Sequence, residues 1–528
     1  NPDGVTYLDI ARALSQGEWG AGVNALWSPM YPALQAIALR LVAPAPRLES
    51  IVAHAVNVAI FAVALAAFEF FLRAFARLSA WRDGEGREGT PLARATWLAF
   101  AYAIFTWAAL SLVSTAVVAP DMLVVAFAFV AFGLVARVRL GDHGVGTQIA
   151  VGAALAAGYW AKSSLFLLAA VFLVVDFLAL GANRRALTRA AVAALAFAVV
   201  ASPLVVALSR QKGRATFSDA GKLNYAMHVS RTLRGKHWQG ETPGGGTPVH
   251  PTRKLLDRPP VFEFATPIGG TYPPWYDPSY WAEGVRAPVR VGRQLSLLVE
   301  NTKRYFVATL PWFGTLALIV LVAAGHGAGV ASWRSRLRDA AVRHWDVVLP
   351  SIAALGMYAI VHVEPRYVAP FLAALLLVVL DAVRLPDERF ARRAAGALAV
   401  ATVLATAAMV LAEPTEARAR GVADDLHQRV AASLAARGVA PGARIALLGH
   451  GNGAYWAHLL GAKVVAEIPP GSESEFWSAD AATRALALSA MQRAGARLVV
   501  APSLPPAVDA TGWERVADTG YYVRALSR

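Results

Sequence analysis

Seven ionisable residues stand at or beside the ends of long hydrophobic runs: Asp3, Asp9, Asp121, Lys162, His362, Glu364 and Arg366. An ionised side chain costs about 2.5–3.5 kcal/mol at the centre of a membrane span and less near the interface, so charges kept there need a partner, a task or a way to water. Carboxylates beside cations suit one chemistry in particular. A carboxylate can take the proton of an attacking hydroxyl, and a cation placed in advance can stabilise the charge that develops on a phosphate leaving group. Asp3 or Asp9 could therefore be the base, with Asp121 a further carboxylate on the same side, and Lys162 and Arg366 could hold the phosphate, with His362 and Glu364 beside them. Plainer readings stand beside these. Asp3 precedes a helical run and suits an N-cap, Asp9 suits ordinary solvation, and Lys162 suits a lysine snorkelling to the interface.

These groups must be positioned by membrane helices. The chain has 528 residues, of which 56% are hydrophobic, and its mean hydropathy is +0.45. Apolar runs at 51–78, 95–117, 122–136, 149–159, 163–180, 190–208, 305–324, 347–360, 367–383 and 394–411 read as about ten spans. The formal charge of 50 − 35 = +15 is carried largely by Arg in the short loops between them. Arg73, Arg77, Arg82, Arg87 and Arg94 form one such group, and Arg137 and Arg139 another. Arg184, Arg185 and Arg189 follow, then Arg334, Arg336, Arg338 and Arg343, then Arg384, Arg389, Arg392 and Arg393. This pattern sets orientation by the positive-inside rule and excludes a nucleic-acid footprint. The loop 81–90 is expected to be cytoplasmic. All seven chemical candidates then fall on the opposite, external side. The chain opens at Asn rather than Met and already in a loop, so a first span or signal anchor is expected upstream. With no Cys, disulfides, thiolate catalysis and Cys-based metal sites are excluded.

Two polar regions interrupt the apolar pattern. In 210–304, Tyr272, Trp275, Tyr276, Tyr280 and Trp281 are packed among prolines and glycines, and His237 and Trp238 add polar donors. Aromatic faces of this kind suit stacking on a sugar ring and equally suit an interfacial belt. The tail, 413–528, changes character. Short apolar runs at 444–448, 463–465 and 497–500 read as strands, separated by helical stretches at 454–460 and 481–494, with a closing hairpin over 513–526. Gly449-His450-Gly451-Asn452-Gly453 matches neither the dinucleotide fingerprint nor a Walker A motif, and reads as a tight strand-to-helix turn. The expected architecture is a polytopic α-helical membrane protein with a small C-terminal α/β domain. Its parts are a first external loop (1–50), a transmembrane core (51–209), an external aromatic loop (210–304), further spans (305–412) and an external α/β domain (413–528).

The opening stretch Asp3-Gly4-Val5-Thr6-Tyr7-Leu8-Asp9-Ile10-Ala11-Arg12, followed by Trp27-Ser28-Pro29-Met30-Tyr31-Pro32, resembles the first external loop of the GT-C glycosyltransferases. Protein O-mannosyltransferases and the lipid A aminoarabinose transferase carry there an Asp-Glu pair, a Tyr, a later acidic residue and an Ile-Ala-Arg run. Asp3, Tyr7 and Asp9 match that order, whereas Gly4 replaces the Glu. Pro120-Asp121-Met122 is similar to the second acidic position of these enzymes. Gly158-Tyr159-Trp160-Ala161-Lys162 resembles their small-aromatic-Thr-Lys segment, and His362-Val363-Glu364-Pro365-Arg366-Tyr367 their His-x-Glu-x-Arg turn. Ser28 departs from the pattern, because the aminoarabinose transferase has a phosphate-contacting Lys there, so phosphate contacts must be redistributed in this chain.

The resemblance implies an inverting glycosyltransferase of the bacterial inner membrane. It would move a sugar from a polyprenyl-phosphate carrier to a glycan, lipid or protein acceptor on the periplasmic face. The aromatic loop, with Tyr7, would cover the substrate. No metal or other cofactor is expected, although Asp3, Asp9 and Asp121 offer oxygen ligands of the kind Mg²⁺ or Mn²⁺ would take. Partners are the lipid-linked donor and membrane lipids, with no nucleic acid. Two rivals remain at this stage. One is an O-antigen-ligase or polymerase type using Arg231, Arg234, His237 and His250. The other is a non-enzymatic transporter of lipid-linked glycans, disfavoured because the charges gather at one face rather than at the midplane.

Overall fold

A computed structural model describes residues 2–80, 90–264, 266–324, 330–385, 389–412, 414–506 and 508–526. The loop expected to be cytoplasmic at 81–90, with Arg82 and Arg87, lies outside the described residues except for Thr90. The chain begins with α1 (Pro2–Ser15) and α2 (Met30–Val42), then α3 (Glu49–Ala80), a two-residue β1 (Thr90–Pro91), α4 (Arg94–Thr106), α5 (Asp121–Arg139), α6 (Val145–Ala161), α7 (Ser164–Ala179) and α8 (Arg184–Lys212). The long loop contributes α9 (Ala220–Asn224), β2 (Arg253–Leu256), β3 (Val261–Glu263), α10 (Pro273–Tyr276) and α11 (Pro278–Trp281). Helices resume with α12 (Val291–Ala324), α13 (Val330–Arg343), α14 (Trp345–Val361) and α15 (Pro365–Asp381). After β4 (Arg384–Leu385), which pairs with β1, comes α16 (Arg389–Ala412).

Each of the ten apolar runs forms a helix, as a chain without water to satisfy its backbone must. Among the described residues five helices, Glu49–Ser79, Arg94–Val113, Asp121–Arg139, Arg184–Lys212 and Arg389–Ala412, are long and apolar enough to cross a membrane, or six if Trp333–Arg343 and Trp345–Val361, bent by 92°, form one span. Helices α6, α7, α14 and α15 have 17, 16, 17 and 17 residues. At 1.5 Å per residue they reach roughly 24–26 Å, short of the ~30 Å hydrocarbon core. The protein is thus a polytopic helical membrane protein in which several helices stop short. Small residues let the helices close up. At Gly152 of α6 a Cβ would lie 2.0 Å from the Ala193 carbonyl oxygen of α8, so only glycine permits that crossing.

The tail supplies α17 (Pro414–Ala436), β5 (Arg444–Leu448), α18 (Tyr455–Leu460), β6 (Lys463–Ile468), α19 (Glu473–Ser478), α20 (Ala481–Arg493), β7 (Leu498–Ala501), β8 (Glu514–Arg515) and β9 (Tyr522–Ala525). The strands expected from the apolar runs are present, and the closing hairpin pairs β8 with β9 antiparallel. The segment 449–453 is a short turn between β5 and α18, and Gly451 is required because a Cβ there would meet the Tyr272 ring at 2.4 Å. The sheet extends beyond the tail. Its order is β2-β3-β6-β5-β7-β9-β8, with Phe262 of the long loop opposite Glu467. Loop and tail therefore share one sheet, where the apolar pattern alone had set 210–304 and 413–528 apart. One face of that sheet packs Ile445, Leu447 and Val464 with Val430, Leu434 and Trp456. The other packs Ala446, Leu448 and Val465 with Ala487 and Met491.

Candidate active site

Helix α1 turns two faces to different partners. At roughly 100° per residue, Asp3 and Tyr7 lie about 40° apart, whereas Asp9 falls about 240° round from Asp3. Tyr7, Ile10, Ala11 and Leu14 join the membrane core, while Val5 and Leu8 join the core of the C-terminal domain. Asp3 and Tyr7 open into a cavity of about 520 Å³.

Helix ends bring the other charges to the same cavity. Asp121 is the first residue of α5 and 1% exposed. The turn before it is held by Asn57 of α3, whose amide donates to the carbonyls of Thr115 at 2.9 Å and Val117 at 3.0 Å. Lys162 stands at the break between α6 and α7. Its ammonium lies 2.5 Å from Asp121 Oδ1 and 3.6 Å above the Tyr367 ring. Arg366, just behind Pro365 at the start of α15, reaches Asp121 Oδ2 at 3.3 Å and donates to Asp3 Oδ2 at 3.2 Å. His362 pairs with Glu364 at 2.9 Å in the turn that precedes Pro365. Burial pushes the Lys162 ammonium down from its ordinary pKa, and the Asp121 charge opposes that shift. Burial, then the charges of Asp3 and Asp121, hold the Tyr7 phenol well above its ordinary value.

The long loop forms the opposite wall. Leu223, His228, Arg234, Lys236, Trp238, Trp275 and Trp281 line it. His228 stacks flat on His362, with ring centroids 4.0 Å apart, and burial with the His362 charge lowers it to about 4, so it is neutral near pH 7. Lys236 lies 5.0 Å from the ring centroids of both Tyr272 and Trp275. Among the described residues no carboxylate lies within ion-pair distance of it, and burial lowers its ammonium to about 8. The more distant charges of Glu467 and Asp3 oppose that lowering, and a half-buried cation held against aromatic faces is suited to an anion that arrives from outside.

The cavity lining thus joins Asp3, Tyr7, Asp121, Lys162, Trp238, Trp275, Trp281, His362, Glu364 and Arg366. Four other candidates point elsewhere. Asp9 accepts from the Thr271 backbone and hydroxyl, each at 2.7 Å, and from His458 at 2.6 Å. Burial alone would raise its carboxyl, but His458 and the Thr271 bonds bring it below its ordinary value. His237 pairs with Glu467 at 2.6 Å. Tyr276 accepts from Asn24 through its carbonyl, and the Tyr280 hydroxyl donates to the Thr266 carbonyl. Arg231, Arg234, His237 and His250 do not converge, for only Arg234 lines the cavity. Asp3, Asp9 and Asp121 do not gather either, and among the described residues no group of three His, Cys, Asp or Glu is placed to hold a metal ion. His228 and Lys236 were not singled out from the sequence. The local signal for Lys236 is its place beside His237 and Trp238, and His228 shares with it only the polar loop.

No family model matches the chain, and no curated protein does. Two solved structures match along almost its whole length. Both are crystal structures of ArnT from Cupriavidus metallidurans. The one bound to undecaprenyl phosphate is 12% identical, with a TM-score of 0.54, and covers 99% of this chain and 93% of that one. The apo structure is 14% identical, with a TM-score of 0.51 and the same coverage. The chain therefore has the ArnT fold, membrane helices and C-terminal domain together.

Proposed function

We propose that the protein is a membrane glycosyltransferase of GT-C type that transfers a sugar from a polyprenyl-phosphate carrier to an acceptor on the external face. The observation that carries this is the joining of Asp3, Asp121, Lys162 and Arg366 at one cavity with Lys236, which has no ion-pair partner among the described residues, across from them. The shared fold supports it further, since one ArnT structure holds undecaprenyl phosphate, a lipid phosphate of the class these cations suit. Lys236 takes up the contact that Ser28 cannot make.

In the proposed reaction the bond between the sugar's anomeric carbon and the phosphate oxygen breaks. Its electron pair stays on the phosphate, whose charge Lys162, Arg366 and Lys236 stabilise without having to reorganise. The acceptor oxygen attacks from the opposite face, with inversion, and its proton passes to a carboxylate. Asp3 is the better base. Asp121 is buried between two cations and holds them in place, whereas the Asp3 side chain is 23% exposed and meets the cavity. Trp275 offers a face for the sugar ring, with Trp238 and Trp281, 3% and 4% exposed, behind it in the wall.

Protein in lipid nanodiscs should bind undecaprenyl phosphate, and Asp3→Asn should bind it equally well. Envelope glycans from a deletion strain complemented with Asp3→Asn should lack the product that wild type restores, since acid–base catalysis is worth about 10²–10⁴-fold. Failure of wild type to bind the lipid phosphate, or full complementation by Asp3→Asn, would overturn the reading.

A further inference from the structure

The C-terminal domain reaches the elements behind both walls of the cavity through two side chains that are wholly buried and line neither wall. The first is His458 of α18, which is 0% exposed. Its Nδ1 meets Asp9 Oδ1 at 2.6 Å and its Nε2 meets Glu49 Oε1 at 2.5 Å. An ionised carboxylate only accepts, and Asp9 is held below its ordinary value, so one on each ring nitrogen favours the imidazolium, while an Arg12 guanidinium nitrogen 3.0 Å from Nε2 opposes that charge. Arg12 donates to the other Glu49 oxygen at 2.6 Å and also to the His458 carbonyl. Two carboxylates and two cations thus close a neutral knot between α1, the start of α3 and α18, and Thr271 ties the long loop to the same Asp9. Asp9 and Arg12 occupy the face of α1 opposite Asp3 and Tyr7.

The second is Glu467 of β6, also 0% exposed. Its Oε1 accepts from His237 at 2.6 Å and from the Tyr272 hydroxyl at 2.6 Å. The His237 ring stacks on Phe262, 4.2 Å away, which is the strand partner of Glu467. His237 is flanked by Lys236 and Trp238, both in the cavity wall, and Tyr272 lies beneath the Lys236 ammonium. Each knot therefore sits one step behind a cavity residue: the first across a helix from Asp3, the second beside Lys236.

We propose that the C-terminal domain sets the geometry of the cavity, with His458 and Glu467 as positioning residues that hold Asp3 and Lys236 in register with Lys162 and Arg366 of the membrane helices. The proposal rests on reading the cavity as the site of the lipid phosphate. The membrane helices hold Asp121, Lys162 and Arg366, whereas α1, packed on the membrane core through one face, is held on its other face by a domain that contributes no residue to the lining, and residues 236–238 are held by the same domain. Burial alone would lower the His458 ring, but Glu49 and Asp9 raise it above its ordinary value. A raised value in the folded protein means that the knot is complete at lower pH and loosens as pH rises through that value. The groups that face the ring are Asp9 and Arg12 from α1, Glu49 from α3 and Tyr455 from α18, with His427 of α17 behind Tyr455.

The test uses full-length protein in nanodiscs, read by amide hydrogen exchange and by binding of undecaprenyl phosphate. His458→Gln should speed exchange across Pro2–Ser15 while leaving β5, β7 and α5 protected, and should weaken binding about tenfold or more, the worth of one buried charge-assisted hydrogen bond. Glu467→Ala should do the same at residues 236–238. Glu467→Gln should restore both readouts, because its amide oxygen still accepts from His237 and Tyr272, whereas Glu467→Met, which fills similar space without that acceptor, should not. In wild type, exchange of α1 corrected for its intrinsic rate should rise on the alkaline side, and in His458→Gln it should not. Should His458→Gln fail to fold, Asp9→Asn weakens the same knot from the α1 side, with the same expectation. Folded variants with unchanged α1 exchange and binding within about twofold of wild type would overturn the proposal. If wild type itself does not bind the lipid phosphate, the donor reading fails, and α1 exchange alone decides the role of His458.

Discussion

Lys162 gives the sharpest quantitative test of the proposed site. Its ammonium makes a 2.5 Å contact with Asp121 and rests 3.6 Å from the Tyr367 ring centroid, while Arg366 holds the other Asp121 oxygen at 3.3 Å. Removing one partner of a fully buried ion pair costs about 3–5 kcal/mol. Here the loss should be smaller, about 1.5–3 kcal/mol, the worth of one charge-assisted hydrogen bond, because Arg366 stays on Asp121 and solvent reaches Lys162. The same bond made to a lipid phosphate sets the ligand effect. Lys162→Met should then weaken undecaprenyl phosphate binding by about 10-fold to 150-fold. Lys162→Arg should recover part of it, since a planar fork cannot occupy the place of a compact ammonium above Tyr367. Binding would be titrated in nanodiscs beside thermal unfolding of the same samples. A folded Lys162→Met protein that binds within about twofold of wild type would refute the phosphate role.

Lys236, lowered to about 8, is cationic below that pH and neutral above it, so affinity for undecaprenyl phosphate should fall as pH rises through about 8. The second ionisation of the phosphate, near 6, is complete before that window, and Lys236→Met should flatten the profile measured from pH 7 to 9. Gly152→Val should force α6 and α8 apart at a contact that would otherwise be 2.0 Å, costing about 1–3 kcal/mol or more; unchanged thermal stability would contradict that packing. Topology reporters fused after Arg338 and after Arg437 should be active on opposite sides of the membrane, inside and outside respectively. Activity of both on one side would separate the C-terminal domain from the proposed cavity face.

The apolar runs by themselves determined where the helices lie, because a backbone in hydrocarbon has no other way to satisfy its hydrogen bonds. They also determined that Asp121, Lys162 and Arg366 stand at helix ends, where a charge can be kept. The short β-runs of the tail were equally clear: 444–448, 463–465 and 497–500 became β5, β6 and β7 with bounds moved by a few residues. What only the tertiary structure decided is which of these groups meet. Asp3 and Asp9 are near neighbours in sequence, yet the turn of one helix sends the first to the cavity and the second to His458. His458 and Glu467 lie in a tail whose local pattern speaks of strands and helices alone, and their partners Asp9, Glu49, His237 and Tyr272 are far away along the chain. Strands β2 and β3 carry the same lesson, since pairing with β6 depends on a surface that exists only once both segments have folded. Local periodicity reports which face of an element is apolar. Which element that face will meet is set by packing among segments distant in sequence, and no local pattern encodes it.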